Sequence, residues 1–166
     1  MMIGILSDTH DQAGRTKLAV ATLADAGAEA LFHCGDITTA DVVYECGILP
    51  AYFVFGNCDF DLESLRQAIR QIGGNCWERG SLIALGGRQI AMTHGASDQE
   101  LRRLIDQQPD YLFTGHTHRL NDVTRGSTRF INPGALHRAQ QWTVAVLDLA
   151  SDRLRVLPIV NKLMQH

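Results

Sequence analysis

The chain is 166 residues long, with 45% hydrophobic and 20% charged residues, a length and balance that fit one globular domain and exclude a largely disordered chain. Its 15 Lys and Arg against 18 Asp and Glu leave a net charge of −3, which argues against an extended nucleic-acid footprint, so any phosphate chemistry must rest on local positive charge. No apolar run approaches the roughly 18 residues of a membrane helix, and residues 1–8 lack the basic start and long apolar stretch of a secretion signal; the expectation is a cytoplasmic protein with no membrane partner.

Strand-like runs come first, at residues 2–6, 30–33 and 51–55, each followed at once by a polar cluster rich in Asp, Asn or Gly. Leu62, Leu65, Ile69 and Ile72 recur at helical spacing, as do Leu101, Leu104 and Ile105. Ser97 and Glu100 read as a capping box, the hydroxyl taking a free helix N–H and the carboxylate reaching back, so that helix should start near Asp98. Three hairpins follow from apolar runs around short turns: 81–85 with 89–93 about Gly86-Gly87, 122–124 with 128–131 about Arg125-Gly126, and 142–149 with 153–160. Alternating strand and helix in the first half, then hairpins, predict an α/β protein of two packed mixed sheets with helices outside, in a single domain over residues 1–166. Cys34, Cys46, Cys58 and Cys76 form no C-x-x-C pair and are expected as free thiols of a reducing compartment.

Five polar clusters sit just past apolar runs: Asp8-Thr9-His10, Gly35-Asp36, Gly56-Asn57-Cys58-Asp59, His94-Gly95 and Gly115-His116-Thr117-His118. In open α/β sheets the carboxyl ends of strands surround the ligand crevice, so these clusters can meet in space. Alternation along an extended segment would turn Asp8 and His10 to one side, whereas His116 and His118 diverge if their loop turns. Carboxylate, amide and imidazole donors without a well-placed thiolate suit Mn, Fe, Co, Ni or Zn. Asp8, His10, Asp36, Asn57, His94, His116 and His118 are more donors than one four-coordinate ion takes, and two ions sharing a carboxylate would use them all. His33, which also ends an apolar run, reads as a buried hydrogen-bonded residue rather than a ligand.

The ordered set D-x-H, G-D, G-N, H-G and G-H-x-H, with Asn132-Pro133-Gly134 as a further turn, resembles the calcineurin-like metallophosphoesterases, and most of all their small bacterial and archaeal phosphodiesterases. The resemblance implies a four-layer α/β/β/α sandwich and two divalent ions, Mn foremost. One would be held by Asp8, His10 and His118, the other by Asn57, His94 and His116, with Asp36 bridging. Where many members carry a histidine thought to assist the leaving oxygen, this chain has Cys58. The function expected is hydrolysis of a small phosphodiester by a hydroxide bridging the two cations. In that reading Asp36, His10 and Asp59 would form the catalytic group, Asp59 by orienting a ligand, and Cys58, His137 and Arg138 would bind substrate. The alternatives are a phosphomonoesterase or a non-catalytic interaction scaffold on the same fold, and the family resemblance implies a dimer or tetramer as the homo-oligomer to look for.

Overall fold

The computed structural model describes residues 1–160, so the last six residues of the expected 1–166 domain lie outside the described residues. The elements in order are β1 (Met2–Leu6), α1 (Ala13–Asp25), β2 (Ala30–His33), α2 (Ala40–Glu45), β3 (Ala51–Val54), α3 (Leu62–Gln71), β4 (Asn75–Trp77) and β5 (Gly80–Leu85). They continue with β6 (Arg88–Thr93), α4 (Asp98–Ile105), β7 (Tyr111–Phe113), β8 (Asn121–Arg125), β9 (Thr128–Asn132), β10 (Thr143–Asp148) and β11 (Arg153–Pro158).

Two mixed sheets result. One has six strands in the order β11-β10-β1-β2-β3-β4, parallel from β1 to β4 and antiparallel at β10 and β11. The other has five in the order β5-β6-β7-β9-β8, with a parallel centre and an antiparallel hairpin at each edge. Strict two-residue alternation builds the layers: Leu6, Leu31, Phe53, Val144 and Val146 face α1, α2 and α3, while Ile3, Ile5, Phe32, Val54 and Leu147 face the second sheet. On the far side of that sheet Ala91 and Leu112 pack under Leu104 of α4. The central strands are thus apolar on both faces, as strands covered on both sides must be, and the order of layers is α/β/β/α.

All three hairpins form, at slightly different limits from those expected: 80–85 with 88–93, 121–125 with 128–132, and 143–148 with 153–158. Gly86 and Gly87 both have positive φ, +58° and +75°, as a two-residue turn matched to the twist of its strands requires. The capping box is only half realised. Ser97 accepts the Glu100 N–H at 3.3 Å, but the Glu100 carboxylate pairs with Arg103 at 2.6 and 3.0 Å because an opposite charge three residues on outcompetes a backbone donor.

Candidate metal centre

Each cluster found in the sequence follows a strand that pairs in parallel with at least one neighbour. Asp8, Asp36 and Asn57 follow β1, β2 and β3 of one sheet; His94 and His116 follow β6 and β7 of the other. Both sheets deliver the carboxyl ends of their parallel strands to one edge, and all seven donors meet there. Ligand atoms of Asp8, His10, Asp36 and His118 lie within 4.8 Å of one another. Beside them, Asn57 Oδ1 stands 3.0 Å from His94 Nε2 and 3.1 Å from His116 Nδ1. Asp36 touches both groups, its Oδ2 being 3.7 Å from His10 Nε2 and 3.4 Å from His94 Nε2. His116 and His118 do diverge, one to each group.

The two carboxylates share a design. Asp8 Oδ2 accepts the Ser7 hydroxyl at 2.6 Å and the His116 N–H at 3.1 Å, leaving Oδ1 buried without a hydrogen-bond partner. Asp36 Oδ1 accepts the Cys58 N–H at 2.9 Å, leaving Oδ2 between the two imidazoles. Each side chain is therefore held by one oxygen and offers the other.

The histidines follow the same logic. A carbonyl only accepts, so His94 must donate its Nδ1–H to Cys34 O at 2.8 Å, and its Nε2 lone pair then faces the oxygens of Asn57 and Asp36. Three lone pairs converging on one point demand a cation between them. A proton can serve, and although burial lowers the affinity of His94 for it, the hydrogen bond and charge of Asp36 outweigh burial and raise it. A metal ion serves better, because a ligating imidazole normally donates its other N–H to a backbone carbonyl or carboxylate. His118 repeats the arrangement, with Nδ1 3.4 Å from Arg138 O and Nε2 3.1 Å from Asp8 Oδ1. His10 Nε2 is buried with no hydrogen-bond partner. The donor set fits divalent ions. Burial alone would raise the Asp36 carboxyl, but hydrogen bonds from His94 and Cys58 hold it well below the usual carboxylate range.

Backbone strain marks the same place. Nine non-glycine residues among those described have positive φ, and Asp8, His10, Asp36, His116 and His118 are five of them. Such conformations cost on the order of 1–3 kcal/mol each and persist where the surroundings enforce them. The route by which Asp8 and His10 come together therefore differs from the expected extended segment: both are left-handed, at φ +53° and +47°, and their N–H groups are tied to Gly35 O and Asp36 O at 3.0 and 2.8 Å. Close approach also explains two glycines, since a Cβ on Gly56 would overlap Asp36 Oδ1 and one on Gly115 would overlap the Ser7 hydroxyl.

Asp59 is buried, and its oxygens accept four backbone N–H groups, those of Asp36, Ile37, Thr38 and Gly56, at 2.7–3.0 Å. With both oxygens so occupied it clamps two ligand-bearing loops together, a positioning role rather than contact with reacting atoms. Cys58 is half-buried; burial and then the charge of Asp36 push its thiol up, so it stays protonated. The His137 ring packs 4.6 Å from that of His10, and Arg138 is exposed on the following residue. His33 is fully buried between two partners, accepting the Gly35 N–H at 3.2 Å on Nδ1 and contacting Thr9 Oγ1 at 2.9 Å through Nε2.

Two anchoring residues carried no sequence signal for this role. Ser7 fixes Asp8. Asn132, in the Asn-Pro-Gly turn, donates to Gly115 O at 2.8 Å and Thr117 Oγ1 at 3.1 Å while accepting from Gly134 N at 3.0 Å, so it holds the loop of His116 and His118.

Oxygen and imidazole donors gathered where the parallel strands of two stacked sheets end form the architecture of a metallophosphoesterase. The chain belongs to the calcineurin-like phosphoesterase superfamily, whose domain model matches residues 1–152. It is 29% identical over 138 residues to a phosphodiesterase of Methanocaldococcus jannaschii, covering 81% of this chain and 83% of that protein. A second relative, described as a probable metallophosphoesterase of Methanothermobacter thermautotrophicus, is 30% identical over 172 residues, covering 93% and 89%. The solved structure of an archaeal phosphodiesterase superimposes with a TM-score of 0.86 at 25% identity, over 95% of this chain and 99% of that one. No described helix is long and apolar enough to cross a membrane.

Proposed function

We propose that this protein hydrolyses small phosphodiesters with two divalent cations, Mn foremost, and that it works in the cytoplasm, where its free thiols would stay reduced. The observation that supports this reading most is Asp36 Oδ2, the single free carboxylate oxygen facing both His10 and His94. Asp8, His10 and His118 would hold one cation, Asn57, His94 and His116 the other, with Asp36 shared. Bound there, two such ions supply Lewis acidity, a water of lowered pKa and neutralisation of charge on the phosphoryl oxygens. The chain's own contribution is to keep each donor in place: Ser7 and Cys58 anchor the carboxylates, and backbone carbonyls set the tautomers of His94 and His118. The Cys58 thiol is a weak hydrogen-bond donor, so diesters with good leaving groups should be preferred. His137 and Arg138 border the donor cluster beside His10 and His118 and would bind the substrate.

The test is elemental analysis of protein purified without added metal, followed by reconstitution with Mn, Ni, Co, Fe or Zn and assay on bis(4-nitrophenyl) phosphate and 4-nitrophenyl phosphate. Two ions per chain and a faster diester reaction support the reading. A faster monoester reaction overturns the diester assignment, and full metal occupancy with neither reaction would make the chain an interaction scaffold.

A further inference from the structure

A cleft of about 790 Å³ opens beside the donor cluster, with His116, His118, Arg119, Arg138, Gln140 and Gln141 among its lining residues. Its size suits an ester arm of many non-hydrogen atoms. No Asp or Glu lines it, in a chain whose net charge is −3. Arg66, Arg70, Arg88, Arg103 and Arg129 each pair with a carboxylate; Arg119 and Arg138 are among the described arginines that do not, and they are the two that line this cleft. Both are fixed to the same ligand candidate. Arg119 follows His118 directly, Arg138 O touches His118 Nδ1 at 3.4 Å, and His118 and Arg138 are both left-handed, at φ +56° and +47°. The fold thus holds two cations without a carboxylate partner beside the donor cluster, one of them, Arg138, at a left-handed position, with amide side chains next to them.

We propose that this cleft receives one arm of the diester and that Arg119 and Arg138 bind a second anionic group, phosphate or carboxylate, carried on that arm. The inference rests on the phosphodiesterase reading and specifies its substrate class. A guanidinium meets either group with two parallel N–H donors, and Gln140 and Gln141 can satisfy the remaining oxygens. The scissile diester and the second anion are then read by different parts of one surface.

The experiment compares 4-nitrophenyl alkyl phosphates with ethyl, 2-carboxyethyl and 2-phosphoethyl arms. In each, the oxygen of water bonds to phosphorus, the P–O(aryl) bond breaks, 4-nitrophenolate leaves, and the water's proton passes to solvent. Two charge-assisted contacts predict kcat/KM about 10- to 100-fold higher for a charged arm than for ethyl. The carboxylate and phosphate arms separate the two anion types. In the Arg119→Ala/Arg138→Ala variant the charged-to-ethyl ratio should fall to about 1, whereas Arg102→Ala, on the exposed face of α4, should keep it. Equal rates for all three arms, or a preference that survives the double variant, overturn the proposal. Failure of the metal-loaded wild type on every arm overturns the phosphodiesterase reading instead. Calorimetry with inorganic pyrophosphate on metal-free protein gives a readout independent of turnover: the double variant should bind at least about tenfold more weakly, and equal affinity counts against the cleft as an anion site.

Discussion

Asp59 shows how much of this centre depends on a residue that need never meet substrate. Two N–H groups converge on each of its oxygens, so Asp59→Asn turns an NH2 against two donors. The loss should be on the order of 3 kcal/mol, a melting temperature lower by roughly 10 °C, together with about 10- to 100-fold weaker metal binding. Thermal melts and metal titration check this; a variant that melts like wild type yet turns over slowly would make Asp59 a proton donor instead. His33 gives a pH prediction. Burial lowers its pKa from an ordinary 6.5 to about 3, so the unfolded chain binds a proton in that interval that the folded chain refuses. Its contribution to stability is complete above pH 6.5 and declines as pH falls towards 3, by about 1.4 kcal/mol per pH unit. In metal-free protein the stability advantage of wild type over His33→Gln should therefore shrink between pH 7 and pH 5 in urea unfolding, and a constant difference would refute the argument. Cys58 supplies the third prediction: Cys58→His should accelerate diesters with poor leaving groups more than those with good ones, and a uniform effect across a leaving-group series would show that no proton donor is missing.

At the scale of elements, legibility followed pattern strength. The strands at 2–6, 30–33 and 51–54 could be read because continuous apolar runs signal burial on both faces, and the hairpin at Gly86-Gly87 because two positive φ angles need glycine. α1 could not be read in the same way: its buried face is Thr16, Ala19, Val20 and Leu23, too small and too polar to stand out from its flanks. β4 and β7, at three residues each, are shorter than any periodicity, and the 6-residue α2 barely exceeds one turn. Among site residues, donor types at strand ends were visible in the sequence, but the left-handed turns that aim Asp8 and His10, and the anchors Ser7 and Asn132, depend on distant partners that local pattern does not encode. Asn132 can be tested at this scale. Asn132→Ala removes three hydrogen bonds, those to Gly115 O and Thr117 Oγ1 and that from the Gly134 N–H, which should cost about 2–3 kcal/mol and weaken metal binding at least about tenfold by freeing the loop of His116 and His118. Ser97→Ala, which removes the α4 cap, should cost about 1 kcal/mol and leave metal affinity alone. Equal metal affinity in both variants would deny Asn132 its positioning role.

Over the whole molecule, the donor cluster lies on the seam between the two sheets, and neither of the two proposed ion sites would be complete on one of them. Asp8, His10 and Asp36 follow strands of the first sheet and His118 follows a strand of the second; Asn57 belongs to the first, His94 and His116 to the second. An ion bound in either place ties the sheets together at an edge where the apolar interlayer core, from Ile3 to Leu149, gives way to buried carboxylates. Metal binding should therefore be part of the stability of the fold. At free ion near 100 times the dissociation constant, each site adds about 2.7 kcal/mol, so chelation should lower the melting temperature by roughly 5–10 °C per site lost. The change should also be local. Hydrogen exchange after chelation should quicken in the loops around residues 8–10, 36–38, 57–59, 94–96 and 115–118, while β1, β2 and β10, buried on both faces, keep their protection because their hydrogen bonds open only with the global fold. Melting unchanged by chelation in protein that had carried its full metal would contradict the seam argument. Exchange that quickened equally in every strand would show instead that the ions hold up the sandwich as a whole, since a tie confined to one edge cannot loosen strands whose cores lie between the layers.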